Sequence, residues 1–111
     1  MSKWKVTFLN DSVLAGLAKW PKKLKARFVR ITELVEQFGP SDVGMPHVKA
    51  LGQGLFEIRV KSDEGIGRAF FCYVVSKEVI ILHSLIKKTQ KTPAKDLKIA
   101  RDRMKKVFQN D

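Results

Sequence analysis

Two arginines in neighbouring predicted strands, Arg59 and Arg68, are the residues of this sequence best suited to hold a phosphate. The planar guanidinium fork matches two phosphate oxygens at once, which an ammonium group cannot do. His83 lies in the next predicted strand, and Lys87 and Lys88 follow that strand directly. We therefore take Arg59, Arg68, His83, Lys87 and Lys88 as the candidate catalytic residues.

These residue types are the ones that metal-independent cleavage of RNA needs. Attack by the 2′-hydroxyl requires a base for its proton, an acid for the leaving 5′-oxygen, and positive charge near the phosphorus. Two arginines could supply the charge, and a solvent-accessible His83 could act as acid or base. A plainer interpretation also stands, in which His83 is a packed histidine and Glu57, Arg59 and Arg68 form a solvated ladder.

Side-chain alternation and short turns decide which residues can meet. A hairpin centred near Asp63 and Glu64 pairs Arg59 with Arg68 across two antiparallel strands. A second hairpin centred near Ser76 and Lys77 places His83 beside Phe70 and Leu85 beside Arg68. The opposite face of these strands is apolar and is expected to receive the helices.

The elements that must position these residues indicate an α+β fold. The predicted order is β-α-α-β-β-β-β-α, with a curved antiparallel sheet packed on an N-terminal αα-hairpin and a C-terminal helix. Gly39-Pro40 ends the second helix, and Thr92-Pro93 opens the last one. Residues 1–111 are expected to form a single domain.

The charge of the chain favours an anionic partner. Its 111 residues include 22 Lys and Arg against 11 Asp and Glu, for a net charge of +11. The positive charge is clustered along two predicted helices, as in nucleic-acid-binding proteins. The candidate RNA- and ribosome-binding residues are Lys22, Lys23, Lys25, Lys61, Lys91, Lys95 and Lys98.

Several classes of site are not expected. A single cysteine, Cys72, and two histidines do not form a metal site by their spacing, and no phosphate-cradling glycine motif is present. We therefore predict no cofactor and no metal. The N-terminal residues lack an apolar run, so we expect neither a signal peptide nor a membrane span, and a cytoplasmic protein.

Three stretches resemble the RelE/ParE superfamily of type II toxins. The segments Leu55–Arg59 and Gly67–Phe71 are similar to its sheet, and Ile81–Pro93 resembles the signature of its phage-related HigB-like branch. The order of elements is similar along nearly the whole chain. The sequence departs from the branch at Leu85, where Phe is common, and it has no tyrosine near the C-terminus.

The resemblance implies a ribosome-dependent mRNA endoribonuclease, or mRNA interferase, that inhibits translation. It matches Arg59 and Arg68 to the arginines of two strands, and Lys87 and Lys88 to the bases after the last strand. His83 and Lys91 belong to the same motif. The implied partners are a cognate antitoxin, mRNA with contacts to rRNA on the ribosome, and operator DNA for the toxin–antitoxin complex, with no membrane.

Two rival interpretations remain open. A ParE-like toxin would share the fold but poison DNA gyrase, and it would lack the cationic cluster. A non-catalytic nucleic-acid-binding module would bind RNA or DNA with a steep salt dependence and cut neither.

Overall fold

The computed structural model describes residues 3–74, 76–88 and 91–109. Its elements follow the predicted order, with one additional helical turn, α3, after α2. The bounds are β1 (Lys5–Phe8), α1 (Asp11–Ala18), α2 (Lys22–Phe38), α3 (Pro40–Val43), β2 (Val48–Gly52), β3 (Leu55–Ser62), β4 (Gly65–Val74), β5 (Glu78–Lys87) and α4 (Ala94–Gln109). The prediction of an α+β fold is confirmed. The predicted last residue of the β4 strand, Val75, and motif residues Thr89 and Gln90 lie outside the described residues.

Local sequence signals set the ends of the first helices. The side chain of Asn10 accepts a hydrogen bond from the amide of Val13 and so caps α1. Pro21 separates α1 from α2, and Gly39 ends α2 with a φ of +88°, a conformation that favours glycine. The helices therefore stop where their sequence stops supporting them.

The sheet has the order β1-β5-β4-β3-β2 and is mixed rather than antiparallel. The strands β2 to β5 form antiparallel pairs through short connections, as predicted. However, β1 runs parallel to β5, with Lys5 opposite Glu78 and Phe8 opposite Ile81. The prediction of a wholly antiparallel sheet was wrong because no hairpin turn fixes the direction of β1, which leads into helices instead.

The helices cover both faces of the sheet, whereas the sequence analysis placed them on one. From α2, Leu24, Phe28 and Val35 are buried in a cluster with Ile58 and Phe71. The second face carries α4, whose Ala100 and Met104 are buried with Leu55, Phe70 and Leu82. Because these strands also have apolar residues on the second face, α4 can close one end of it. The end that carries Arg59 and Lys61 remains for polar side chains.

A β-bulge in β5 decides which face His83 occupies. Phe71 lies opposite Ile81, but the preceding Phe70 lies opposite His83, so Leu82 is an extra residue in β5. Ile81 is therefore buried with the α2 side, while His83 is brought to the face that carries Phe70 and Arg68. Bulges commonly re-aim side chains next to functional sites.

Gly67 offers a direct test of the packing on the α2 side. A Cβ atom there would lie 2.5 Å from Cζ3 of Trp20, whose ring is 5% exposed and packs edge-to-face on Phe28. We expect Gly67→Ala to lower the free energy of unfolding by about 1–3 kcal/mol in urea denaturation, because the buried indole must move.

The matched control is Gly16→Ala in α1, where the nearest atom to an added Cβ is Oγ of Ser84 at 3.8 Å. Alanine at this helical position should stabilise the protein by about 0.5–1 kcal/mol. Equal effects of the two substitutions would contradict the packing described for Trp20.

Candidate active site

The second face of the sheet presents the candidate residues in three rows across β3, β4 and β5. Strand register sets the rows, and neighbouring strands lie about 4.8 Å apart. The first row is Glu57, Phe70 and His83; the second is Arg59, Arg68 and Leu85; the third is Lys61, Ile66 and Lys87. The predicted pairs of Arg59 with Arg68, Arg68 with Leu85, and Phe70 with His83 are all confirmed. We call this set the three-row site.

A buried carboxylate, that of Glu57, acts electrostatically on both arginines and is hydrogen-bonded to Arg59. Oε1 of Glu57, a residue with 0% exposure, accepts a hydrogen bond of 2.8 Å from Nε of Arg59. Burial and the neighbouring Arg59 lower the pKa of the Arg68 guanidinium, whereas Glu57 raises it. Arginine stays protonated despite such shifts. The three side chains therefore bring two positive charges against one negative charge.

Arg68 lies deeper than the sequence analysis predicted. The side chain has 0% exposure, whereas that of Arg59 is 22% exposed. Neither a solvated ladder nor an open pair of arginines describes this arrangement. The sequence analysis left this face open, whereas α4 packs on its apolar end and Thr92 contacts Glu57 beside Arg59. Arg59 is thus the accessible guanidinium and Arg68 the buried one.

His83 is held on two sides. Its ring is stacked on Phe70 with an interplanar angle of 7° and a centroid distance of 6.2 Å. Its Nε2 lies 2.7 Å from Oδ1 of Asp96 in the first turn of α4, and the two side chains are 19% and 18% exposed. The ring is therefore fixed in position and still partly accessible, which is neither a fully packed histidine nor a free one.

Sequence reasoning missed Asp96 and placed Glu57 only in a solvated ladder with the two arginines. An acid in the first turn of a helix is explained by the helix dipole alone, so Asp96 carried no separate signal. Its distance to His83 arises only when α4 docks on the sheet. The hydroxyl of Thr92 likewise donates to Oε2 of Glu57 at 3.3 Å. The start of α4 is thus tied to the three-row site at two points.

Lysines surround the open end of the site. Lys61 and Lys87 are exposed in the third row on either side of Ile66, and exposed Lys88 follows β5. Two strand spacings separate Lys61 from Lys87, or about 10 Å. Three ammonium groups at this end attract an anion that approaches Arg59.

The other predicted binding lysines lie away from the three rows. Exposed Lys22 begins α2, Nζ of Lys23 lies 3.2 Å from Asp63 in the β3–β4 turn, and Lys25 donates to the carbonyl of Ala18 at 3.1 Å. These α2 residues lie behind the sheet, with Lys23 at its β3–β4 end.

The remaining predicted lysines lie on or before α4. Lys91 and Lys95 are exposed near its start. Lys98 is engaged by Asp102 at 2.9 Å. The structure therefore brings together Arg59, Arg68, His83, Lys61 and Lys87, with Lys88 next to them, and leaves the other predicted lysines on α2 and on or before α4.

Cys72 is not placed to act as a nucleophile in the folded protein. It is buried with Phe70 and Leu82, and burial raises the pKa of its thiol from 9.0 to about 11.

Within residues 3–74, 76–88 and 91–109, no three His, Cys, Asp or Glu side chains are grouped to hold a metal ion. In the same part of the chain, no helix is both long and apolar enough to cross a membrane.

The Cys72 thiol is expected to resist alkylation. At pH 8.5, iodoacetamide should modify the folded protein at least about 50-fold more slowly than the urea-unfolded chain, because raising the pKa from 9.0 to about 11 lowers the thiolate fraction by roughly that factor or more and burial limits access. Mass spectrometry of timed samples measures both rates. Similar rates in the two states would contradict the burial of Cys72.

The contact between His83 and Asp96 should be measurable as a coupling energy. A double-mutant cycle with His83→Gln and Asp96→Asn is expected to give about 1 kcal/mol or more in urea unfolding, because both groups are largely buried. The cycle with Lys98→Gln and Asp102→Asn on the same helix is the control and should show little coupling, since both groups are exposed. Equal coupling in the two cycles would mean that Asp96 does not hold His83.

Comparison with known proteins gives one family. A family model described as "Phage derived protein Gp49-like (DUF891)" matches residues 15–105, which run from α1 into α4 and include the whole three-row site. No curated protein matched the chain. Because the matched residues make up most of its length, the chain belongs to the phage-derived Gp49-like protein family.

Proposed function

We propose that this Gp49-like protein is the toxin of a type II toxin–antitoxin pair and cleaves mRNA on the ribosome without a metal ion. The observation that carries the proposal is the three-row site, in which Arg59, Arg68 and His83 share one face of the sheet. Resemblance to the HigB-like branch of the RelE/ParE superfamily supports the same function. The RelE-like topology is part of this proposal.

Arg59 binds the scissile phosphate in this mechanism. Its guanidinium is partly exposed and is held by Glu57 through Nε. Lys61 and Lys87 flank it and guide the RNA backbone to it. Preorganised positive charge at the developing phosphorane is the largest contribution expected in such a site.

Arg68 contributes to the site through its charge, although it is buried beneath the surface that Arg59 and the lysines form. Because it has no exposed area, it contributes its charge through a poorly screened interior rather than by direct contact with bulk solvent. Its positive charge stabilises added negative charge beside Arg59. It also restrains Glu57, which would otherwise neutralise Arg59 more completely.

His83 transfers the proton, and Asp96 positions it. An ionised carboxylate can only accept hydrogen bonds, so Nε2–H of His83 donates to Asp96. The neutral ring then has its lone pair on Nδ1, where it can take the proton of the 2′-hydroxyl as that oxygen attacks the phosphorus. The bond from the phosphorus to the 5′-oxygen breaks, and an ammonium group of the site or a water molecule protonates the leaving 5′-oxygen. Phe70 fixes the plane of the ring from the side of β4. This arrangement follows the general logic of an oriented base.

The proposed partners follow from the charge of the protein and from the family resemblance. A cognate antitoxin with an acidic segment would bind this basic protein and restrain it. The toxin–antitoxin complex would bind operator DNA through the antitoxin, since this chain has no helix-turn-helix signal. Contacts to rRNA would involve the lysines around the three-row site.

Cleavage mapping in a cell-free translation system tests the activity. Primer extension should find 5′ ends inside codons only when ribosomes are present. His83→Gln is expected to reduce cleavage by about 10²–10⁴-fold, because it removes the proton-transfer group. Arg59→Lys, which keeps a cation beside Glu57 but loses the fork, should reduce it by about 10²–10³-fold.

Lys106→Gln on the exposed side of α4 is the matched control and should cleave like the unaltered protein. Circular dichroism melts of each variant establish that it is folded. Intact mRNA at saturating protein would contradict the proposal. Supercoiling inhibition by gyrase, or tight salt-sensitive RNA binding without cleavage, would then indicate the two rival functions.

A further inference from the structure

A groove of about 710 Å³ lies between α2 and the edge of β3, on the face of the sheet that α2 covers. One wall is formed by α2, through Ala26, Arg30, Ile31 and Leu34. The other is formed by Val60 of β3 and by Pro46, which precedes β2. We call it the α2–β3 groove.

The groove exists because β2 is shorter than β3. The pairing of β2 with β3 begins at Val48 and Ile58, and one further bond joins the amide of Arg59 to the carbonyl of His47. Beyond that point β3 continues to Ser62, and no strand in the described part of the chain lies on its outer side. The helix α2 crosses this end without closing the space.

Charge around the groove has one sign. Four cationic residues line it, Arg27 and Arg30 of α2 and Arg59 and Lys61 at the open edge of β3, and no carboxylate is among its lining residues. Anionic groups would therefore be favoured along both walls.

The floor of the groove is aliphatic. Ala26, Ile31, Leu34, Val60 and Pro46 supply its apolar surface, and the only aromatic ring among its lining residues is the imidazole of His47. Single-stranded nucleic acid is normally gripped by aromatic rings on which its bases stack. Aliphatic side chains flanked by carboxylates fit this surface better than bases and phosphates do.

The backbone of β3 indicates how the occupant would lie. Arg27 donates through Nη1 to the carbonyl of Lys61, so a side chain already covers part of the strand edge. A partner that added as a further strand would have to displace this contact. A short amphipathic helix needs only side-chain contacts with the groove.

We propose that the α2–β3 groove is a docking site for an acidic amphipathic helix of a partner protein. Aliphatic residues of this helix pack on Ala26, Leu34 and Pro46, and its carboxylates pair with Arg27 and Arg30. Arg59 belongs both to the groove and to the three-row site, so an occupant can draw it away from the RNA. The docking site itself is independent of the proposed function, and only this restraint of cleavage rests on it.

Binding of a defined probe tests the docking site. The probe is a fluorescein-labelled synthetic helix with Leu on one face and Glu on both flanks, and its affinity is measured by fluorescence anisotropy with the full chain. Arg30→Glu should weaken binding by at least about tenfold, because it replaces an attraction by a repulsion. Lys106→Glu on α4 makes the same change in net charge outside the groove and should leave the affinity within about twofold.

Ala26→Arg separates docking from general attraction. Ala26 is exposed on α2, so the variant is expected to fold, and circular dichroism checks this. The longer side chain fills the groove while raising the positive charge. Docking predicts weaker binding by at least about tenfold, whereas attraction to a basic surface predicts tighter binding.

Other outcomes would overturn the proposal. These are the absence of binding, equal binding of a probe with Ser in place of Leu, and tighter binding to Ala26→Arg. Loss of single-stranded RNA binding in Arg30→Glu and Ala26→Arg, but not in Lys106→Glu, would instead assign the groove to nucleic acid.

None of these measurements uses RNA cleavage, so an inactive protein would still give the docking result. In a protein that cleaves, the probe should also inhibit cleavage, and Ala26→Arg should resist that inhibition. Inhibition that is the same in the variant would refute the restraint through Arg59 while leaving the docking result intact.

Discussion

Arg68 carries a permanent positive charge in the middle of the sheet, with no solvent-exposed surface. Removing an ion from water costs several kcal/mol even after a protein relaxes around it, on the order of 20 kcal/mol in the idealised limit. A nearby negative charge offsets part of this cost. Glu57 is buried in the preceding row and opposes the fall in the pKa of Arg68, yet its carboxylate is shared with Arg59. These three side chains together carry one net positive charge, which favours an anion beside Arg59.

The same face of the sheet serves both the core and the site, and α4 connects the two. Its Ala100 and Met104 close the apolar end, while Asp96 in its first turn reaches His83. The bulge at Leu82 is what brings His83 to this face rather than to the side of Ile81. Docking of α4 thus assembles the polar end as it buries the apolar end. A change that loosens this helix is therefore expected to affect both stability and the position of the imidazole.

Short turns in the sequence made the pairing of the central strands predictable. Two brief polar connections fixed the hairpin registers, and these placed Arg59 beside Arg68 and His83 beside Phe70. The direction of β1 was not predictable, since no turn joins it to its neighbour in the sheet. The burial of Arg68 and the role of Asp96 depend on the docking of α4 against the second face. An amphipathic stripe identifies the helix but not the face that receives it.

We propose that Arg68 serves the site through its charge and does not stabilise the fold. Substitution Arg68→Met tests this most directly, because methionine fills similar space and leaves Glu57 paired with Arg59. Thermal unfolding and ribosome-dependent cleavage would be measured on the same preparation. We expect a melting temperature equal to or above that of the unaltered protein, because buried charges often cost more than apolar replacements. We also expect cleavage to be reduced by about 100-fold or more. A clear fall in melting temperature with cleavage unchanged would contradict the proposal.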